Sequence, residues 1–262
     1  MNEIVGQGID RIWTGASYAL NAGSEIEIFT TTNHAGTAAI NLTGNNFAQL
    51  IVGNDGKNII DGGGGPDTLM GRSGDDKYFV RHPGAAVIES TGQGIDRVWT
   101  TTSFALTPGS EIETFTTTIH TATTAINLTG NEFGQFIVGN DGSNVINGGA
   151  GSDTLVSRAG ADIYLFNTAL GPSNIDDLTD FSGANDIFHI DNAVFSGLPT
   201  GMLSANAFFK GPAAHDADDR IIYNSSTGAL LFDADGTGGI AAQQFANIAA
   251  GIGIDNSYFI VV

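Results

Sequence analysis

Cysteine is absent from this 262-residue chain, which excludes disulfide cross-links, thiolate metal sites and a cysteine nucleophile. Basic residues are scarce: 9 Lys and Arg stand against 28 Asp and Glu, a formal charge of −19. Such a chain repels a phosphate backbone and an anionic membrane surface, so neither nucleic acid nor membrane is expected as a partner. Proline is held to 6 residues and charged side chains to 14%. No apolar run approaches the roughly 18 residues that a membrane-spanning helix needs, so membrane insertion is not expected. The opening MNEIVGQGIDRIW has neither a basic n-region nor an apolar h-region. A conventional secretory signal is therefore not expected, and export would take another route.

What is abundant is glycine, at 37 residues, in a chain that is 41% apolar. That composition suits many tight turns around a buried core and few long helices. The natural partners of so much carboxylate are cations, since its self-repulsion opposes compaction unless something offsets it.

Residues 5–80 align without gaps on residues 91–166, an offset of 86, and the words GQGIDR, GSEIE, AINLTGN and IVGNDG recur intact. Roughly two-thirds of the aligned positions are identical, far beyond chance for an internal comparison. The chain is divided accordingly into module one (1–86), module two (87–166) and a unique tail (167–262), each with an excess of acidic residues.

A nine-residue period lies inside each module. Module one reads GNDGKNIID (53–61), GGGGPDTLM (62–70) and GRSGDDKYF (71–79); module two reads GNDGSNVIN (139–147), GGAGSDTLV (148–156) and SRAGADIYL (157–165). Weaker copies precede them, GNNFAQLIV at 44–52 and GNEFGQFIV at 130–138. The template is G-G-x-G-x-D-x-U-x, with U a large apolar residue: Ile51, Ile60, Leu69 and Tyr78, then Ile137, Ile146, Leu155 and Tyr164. Upstream, RIWTGASYAL and EIEIFTTT alternate apolar and polar residues, as do RVWTTTSFAL and EIETFTTT in module two. That is strand patterning. Helical signals are short, chiefly around 240–250 in IAAQQFANIAA.

A nine-residue unit places a tight turn over six residues and a short strand over three. Two units make one coil, so turns two units apart stack on the same edge. Glycines let the turn point carbonyls inward, and the side chain at position 6 reaches the same point. A cage of carbonyls and carboxylates offers calcium the hard oxygens it requires; magnesium would want a stricter octahedron, and zinc would want the His or Cys that these turns lack. The candidate ligand positions are Gly53, Asp55 and Asn58; Gly62, Gly64 and Asp67; and Gly71, Ser73, Gly74 and Asp76. In module two they are Gly139, Asp141 and Asn144; Gly148, Ala150 and Asp153; and Ser157, Ala159 and Asp162. One site is expected between the 53-turn and the 71-turn, using Asp76 and Asn58. A second pairs Asp67 with the weak 44-turn. Module two repeats the scheme around Asp162 with Asn144 and around Asp153, with Gln49 and Gln135 heading the degenerate units. The last turn departs from the pattern, with Ser157 and Ala159 in place of glycines.

These runs resemble the RTX (hemolysin-type) calcium-binding repeats. The resemblance implies an all-β fold, a right-handed parallel β-roll or β-solenoid with a C-terminal β-rich capping region, largely unfolded without Ca2+. The tail is similar to the C-terminal target region of RTX proteins exported by type I secretion, in NIDDLTDFSGANDIFHIDNAVFSGL (174–198), DADDRIIYNSSTGALLFDADGTG (216–238) and SYFIVV (257–262). This implies the type I secretion machinery as a partner and a secreted, extracellular or cell-surface location. The expected role is non-enzymatic: structural, adhesive or matrix-forming, with anionic polysaccharide or a cell surface as a further partner suggested by charge. The alternative is a non-catalytic C-terminal part or relative of a secreted hydrolase or epimerase.

Other features carry less. No H-E-x-x-H, G-x-S-x-G or P-loop pattern occurs, and the five histidines are dispersed. Asp233 and Asp235 in DADGTGG lack EF-hand spacing and read as a hairpin turn. Asp176, Asp177, Asp180 and Asp186 read equally well as a further ion site capping the last coil or as a solvated acidic face. Asn41-Leu42-Thr43 and Asn127-Leu128-Thr129 match the glycosylation triplet, yet fall where solenoid turns are expected. Thr30 to Thr32 and Thr116 to Thr118 would suit an ice-binding face only if displayed on a flat strand surface, and Thr is common in strands anyway.

Overall fold

Each U residue of the nonapeptides is sealed from solvent: Ile51, Ile60, Leu69, Tyr78, Ile137, Ile146, Leu155 and Tyr164 are at most 1% exposed. Within each set of four, an apolar residue every ninth position, alternating between two sheets, builds a narrow core from very short strands. The computed structural model describes residue 6 and residues 8–262; Val5 and Gln7, at the start of the repeat, lie outside the described residues, as does MNEI. The chain divides into two compact units, Met1–Ile119 and His120–Val262.

In the first unit the strands are β1 (Arg11–Thr14), β2 (Tyr18–Ala19), β3 (Ile28–Thr31), β4 (Leu42–Asn45), β5 (Leu50–Val52), β6 (Ile59–Gly63), β7 (Thr68–Met70), β8 (Lys77–Val80), β9 (Ala86–Val87), β10 (Arg97–Thr100), β11 (Phe104–Ala105) and β12 (Thr114–Thr117). One parallel sheet runs β1-β3-β5-β7-β9. The other runs β2-β4-β6-β8-β10-β12, also parallel throughout. Successive strands therefore alternate between sheets, and each coil of the roll takes two. Registers such as Ile51↔Leu69 and Ile60↔Tyr78 stack U on U across one coil.

The 86-residue repeat has a structural consequence. The sequence equivalent of β1, β10, comes nine strands later, an odd offset, so the copy begins on the opposite sheet: β10 pairs with β8, whereas β1 pairs with β3. The sequence boundary near residue 86 is no break in the roll, because Tyr78↔Val98 continues the U-on-U stack across it.

The second unit comprises β13 (Leu128–Thr129), β14 (Phe136–Val138), β15 (Val145–Asn147), β16 (Thr154–Val156), β17 (Ile163–Phe166), β18 (Asp176–Leu178), β19 (Ile187–Ile190), β20 (Gly201–Met202), β21 (Phe208–Lys210), β22 (Ile221–Asn224), β23 (Ala229–Phe232), β24 (Gln243–Asn247) and β25 (Phe259–Val261). Within this unit parallel strands run β14-β16-β18-β24 and β13-β15-β17-β19-β25 as a roll of its own. Antiparallel pairs then end it: β20 against β25, and a β22-β23-β24 meander. Aromatic rings fill this cap, with Phe188 stacked between Phe181 and Phe259 at centroid distances of 4.6 and 4.7 Å.

The helical expectation around 240–250 is wrong. Gln243–Asn247 is strand β24, held on both edges and burying Phe245 and Ala246; sheet pairing overrides the helix-forming alanines and glutamines. Helix is confined to two single 3₁₀ turns, Ala205–Ala207 and Asn256–Tyr258, among the described residues, and none is long and apolar enough to cross a membrane.

Candidate calcium-binding turns

The position-6 side chains form columns down the edges of the roll. In the first unit the N–H of Asn58 donates to Asp76 Oδ1 (2.6 Å), that of Asp76 to Asp96 Oδ1 (2.8 Å), and that of Asp96 to Glu113 Oε2 (2.6 Å). On the opposite edge the N–H of Gln49 donates to Asp67 Oδ1 (2.8 Å). The second unit repeats both columns: Asn144 to Asp162 (2.7 Å) and on to Asp186 (3.0 Å), and Gln135 to Asp153 (2.6 Å) and on to Asp176 (3.1 Å). One carboxylate oxygen of each acid is thus spent on ordering the turn in the coil before it.

The second oxygen is the informative one. Asp76 Oδ2, Asp153 Oδ2 and Asp162 Oδ2 are buried and have no hydrogen-bond partner. An orphaned buried carboxylate oxygen is costly, and these three recur at one repeat position. The neutral position-6 residues differ. Asn58 Oδ1 accepts the N–H of Asn54 (2.9 Å) and its amide donates to Ile40 O (2.9 Å), while Asn144 Oδ1 accepts the N–H of Asn140 (3.1 Å). Amides close their own turns; aspartates leave an acceptor over.

Position 1 faces that acceptor. A Cβ on Gly71 would collide with Asp76 Oδ2 and the Tyr78 hydroxyl, and one on Gly62 would stand 2.5 Å from Asp67 Oδ2. Gly148 faces Asp153, and Gly53 and Gly139 face Asn58 and Asn144, in the same way. The space before each carboxylate is open only because the first residue has no side chain. Ser157 is the exception among these turns. Ala159 sits at the variable third position and costs the turn nothing. The third and fourth residues stack by backbone: Gly64 N–H donates to Asn45 O (2.7 Å), Ala150 N–H to Asn131 O (2.8 Å) and Gly74 N–H to Gln93 O (2.7 Å). Ser73 lies beside Gly74 on this path.

Asp55 and Asp141 are brought elsewhere. Arg72 Nε reaches Asp55 Oδ1 and Arg158 Nε reaches Asp141 Oδ1, both at 2.9 Å. The two arginines occupy position 2 with φ of 84° and 78°, the left-handed conformation that Gly63 and Gly149 adopt at the same position.

Burial raises the carboxyl pKa values along the columns: Asp67 to about 7, Asp76 to about 6, Asp153 to about 8 and Asp162 to about 6. The ladder hydrogen bonds pull the other way but do not win. Such sites want either protons or a cation. With aspartate, carbonyl and hydroxyl oxygen as the donors and no sulfur or imidazole among them, the hard cation calcium fits.

Sequence reasoning missed Asp96, Glu89 and Glu113, and left Asp176 and Asp186 between two readings. Asp176 (4% exposed) and Asp186 (1%) are column members, not a solvated face. Their signal was the spacing of acids at roughly one coil beyond Asp76, Asp153 and Asp162, blurred because the coils there exceed 18 residues.

Other expectations resolve structurally. Residues 233–242 connect the antiparallel strands β23 and β24 as a hairpin loop. Asn41 and Asn127 accept the N–H groups of Ile59 (3.1 Å) and Val145 (2.9 Å) as turn residues. Thr30, Thr31, Thr116 and Thr117 are at most 5% exposed, so they display no ice-binding face. His34 bonds Thr30 through Nε2 at 2.7 Å, a structural role.

Residues 43–78 and 129–164 match the family model of the RTX calcium-binding nonapeptide repeat (4 copies). These segments contain the nonapeptide turns and the unpartnered aspartates described above, and the ion that such repeats bind is Ca2+. No curated protein sequence matches the chain.

Proposed function

We propose, from the premise that this chain carries RTX calcium-binding nonapeptide repeats, that it is a secreted protein whose roll closes on meeting extracellular calcium. The observation that carries this reading is the recurrence of a buried, unpartnered oxygen on Asp76, Asp153 and Asp162. In a chain of charge −19, those oxygens oppose closure until a cation meets them. The ligand set is the position-6 acids with turn carbonyls of the stacked units, Gly53, Gly62, Gly64, Gly71, Ser73 and Gly74 in the first block and Gly139, Gly148, Ala150, Ser157 and Ala159 in the second. Asp55 and Asp141 contribute by holding Arg72 and Arg158 in the turn.

Extracellular calcium modules bind at about 10⁻⁴ to 10⁻³ M, far above cytosolic free calcium. Inside the cell the chain stays expanded, which suits one-step export through a type I machinery that reads the tail, 167–262. Outside, calcium binding supplies folding free energy directly. The role outside the cell is structural, adhesive or matrix-forming, with bound calcium bridging to anionic polysaccharide.

Small-angle scattering tests the folding claim. In EGTA at pH 8 the radius of gyration should approach the ~56 Å of an unfolded chain of this length, and millimolar calcium should bring it toward ~18 Å. A compact chain in EGTA would end this reading.

A further inference from the structure

We propose that Glu89 joins Asp76 and Asp96 in a three-carboxylate divalent-cation site at the seam where module one meets the second sequence copy. The inference rests on the calcium-binding reading of the neighbouring turns and shares Asp76 with them, while Glu89 and Asp96 lie beyond the matched segment 43–78. The turn that supplies them, ESTGQGID at 89–96, keeps glycines four and two residues before its aspartate, Gly92 and Gly94, but is two residues longer than a nonapeptide turn and has Glu89 where the register Leu69↔Val87 places the first glycine, Gly71, of the turn below. It nevertheless stacks on the 71–76 turn: Asp76 N–H donates to Asp96 Oδ1 (2.8 Å), Gly74 N–H to Gln93 O (2.7 Å) and Ile95 N–H to Asp75 Oδ1 (3.2 Å).

The extra length carries Glu89 into the interior. Asp76, Glu89 and Asp96 are 0, 2 and 2% exposed, and one carboxylate oxygen from each lies within 4.8 Å of the others. None of the ion pairs among the described residues includes any of the three. Two of their oxygens, Asp76 Oδ2 and Glu89 Oε2, are buried without a hydrogen-bond partner. The other Glu89 oxygen is fixed: Oε1 accepts from the Tyr78 hydroxyl, which itself accepts the Gly71 N–H at 2.6 Å. A carboxylate held in place by a buried tyrosine, with its free oxygen turned toward two others, is a ligand set lacking only a positive charge.

The second unit shows what this geometry looks like when the acid is used otherwise. There Tyr164 bonds Asp180 (3.2 Å), as Tyr78 bonds Glu89. Both Asp180 oxygens, however, accept backbone N–H groups, from Ser157 (3.0 Å) and Arg158 (2.8 Å). Asp180 finishes a turn; Glu89 does not. Three carboxylates in place of the one or two of a nonapeptide site give the seam the higher ligand charge, which favours tighter binding of a hard divalent ion.

The test is diffraction from wild-type crystals grown in millimolar calcium and soaked in Tb3+, read by anomalous scattering, with calcium stoichiometry of the isosteric E89Q protein by titration calorimetry. The expected map has a peak bonded to Asp76, Glu89 and Asp96, and E89Q should bind one calcium fewer per chain or bind one at least tenfold more weakly. Peaks in the nonapeptide turns with only a shared proton or water between these three acids would overturn the inference while leaving the calcium reading standing. Peaks in neither place would overturn both. If E89Q does not fold, the wild-type map decides alone.

Discussion

Asp76 gives one oxygen to the backbone N–H of Asn58, 2.6 Å away in the preceding coil, and leaves its other oxygen buried and without a partner. The first bond an amide can also accept; the second oxygen only a proton or a cation can satisfy. Asp76→Asn should therefore keep the ladder and lose the ion. In EGTA it should show at least as much β structure as the parent, because the uncompensated charge is gone. Its calcium affinity should fall at least tenfold at that turn. Calorimetry with calcium and circular dichroism in EGTA read the two effects separately, and less metal-free β structure than in the parent would contradict this division of labour.

The raised carboxyl pKa values set a pH dependence with a definite sign. Asp67, Asp76, Asp153 and Asp162 titrate near 3.8 when unfolded and at about 6 to 8 in the metal-free fold. The fold then holds more protons than the unfolded chain between those limits, so stability present below pH 4 is lost as pH rises through 6 to 8. Circular dichroism in EGTA should show β structure at pH 4.5, where these carboxyls are protonated, that is lost by pH 8. Calcium affinity should rise over pH 6 to 8, with proton release on binding. A metal-free stability that climbs with pH would refute the assignment.

Two glycine substitutions should part company. A Cβ on Gly71 meets Asp76 Oδ2 and the Tyr78 hydroxyl, whereas one on Gly23 meets nothing within 4 Å. Gly71→Ala should cost about 1–3 kcal/mol in calcium-loaded protein by overpacking and should weaken binding. Gly23→Ala should change little. Urea titrations at saturating calcium make the comparison.

The stacked U positions should dominate over surface ion pairs. Leu69, 0% exposed, packs between Ile51 and Val87 in register, and Leu69→Ala should cost about 2–5 kcal/mol. Arg81 pairs with Asp61 at 2.7 Å on a partly exposed edge, and Arg81→Ala should cost about 1 kcal/mol or less. Equal losses in urea melts would mean that the narrow core is not what holds the coils.

Most of the roll was legible because its period is enforced by geometry. An apolar residue every ninth position has to point inward when two strands complete a coil, and the eight U residues do so. The aspartates of the regular turns were readable for the same reason. What escaped depends on coils of other lengths. Tyr78 pairs with Val98 and not with a residue 18 further on, so Asp96 falls two residues out of step although it stands in the same column, and Glu89 sits at the head of the lengthened turn beside it. The odd number of strands per 86-residue copy, which moves β10 to the sheet opposite β1, is a property of the coil count that local patterning does not carry. Strand β24 was hidden because alanine and glutamine favour helix until two neighbouring strands are present to pair with.

The account stands on calcium supplying the charge that lets these columns close, and far-ultraviolet circular dichroism during a calcium titration, with magnesium as control, measures that most directly. The β signal should be weak in EGTA, grow cooperatively to saturation in the millimolar range, and stay weak in magnesium at the same concentration. An identical spectrum and melting temperature in EGTA, magnesium and calcium would contradict it.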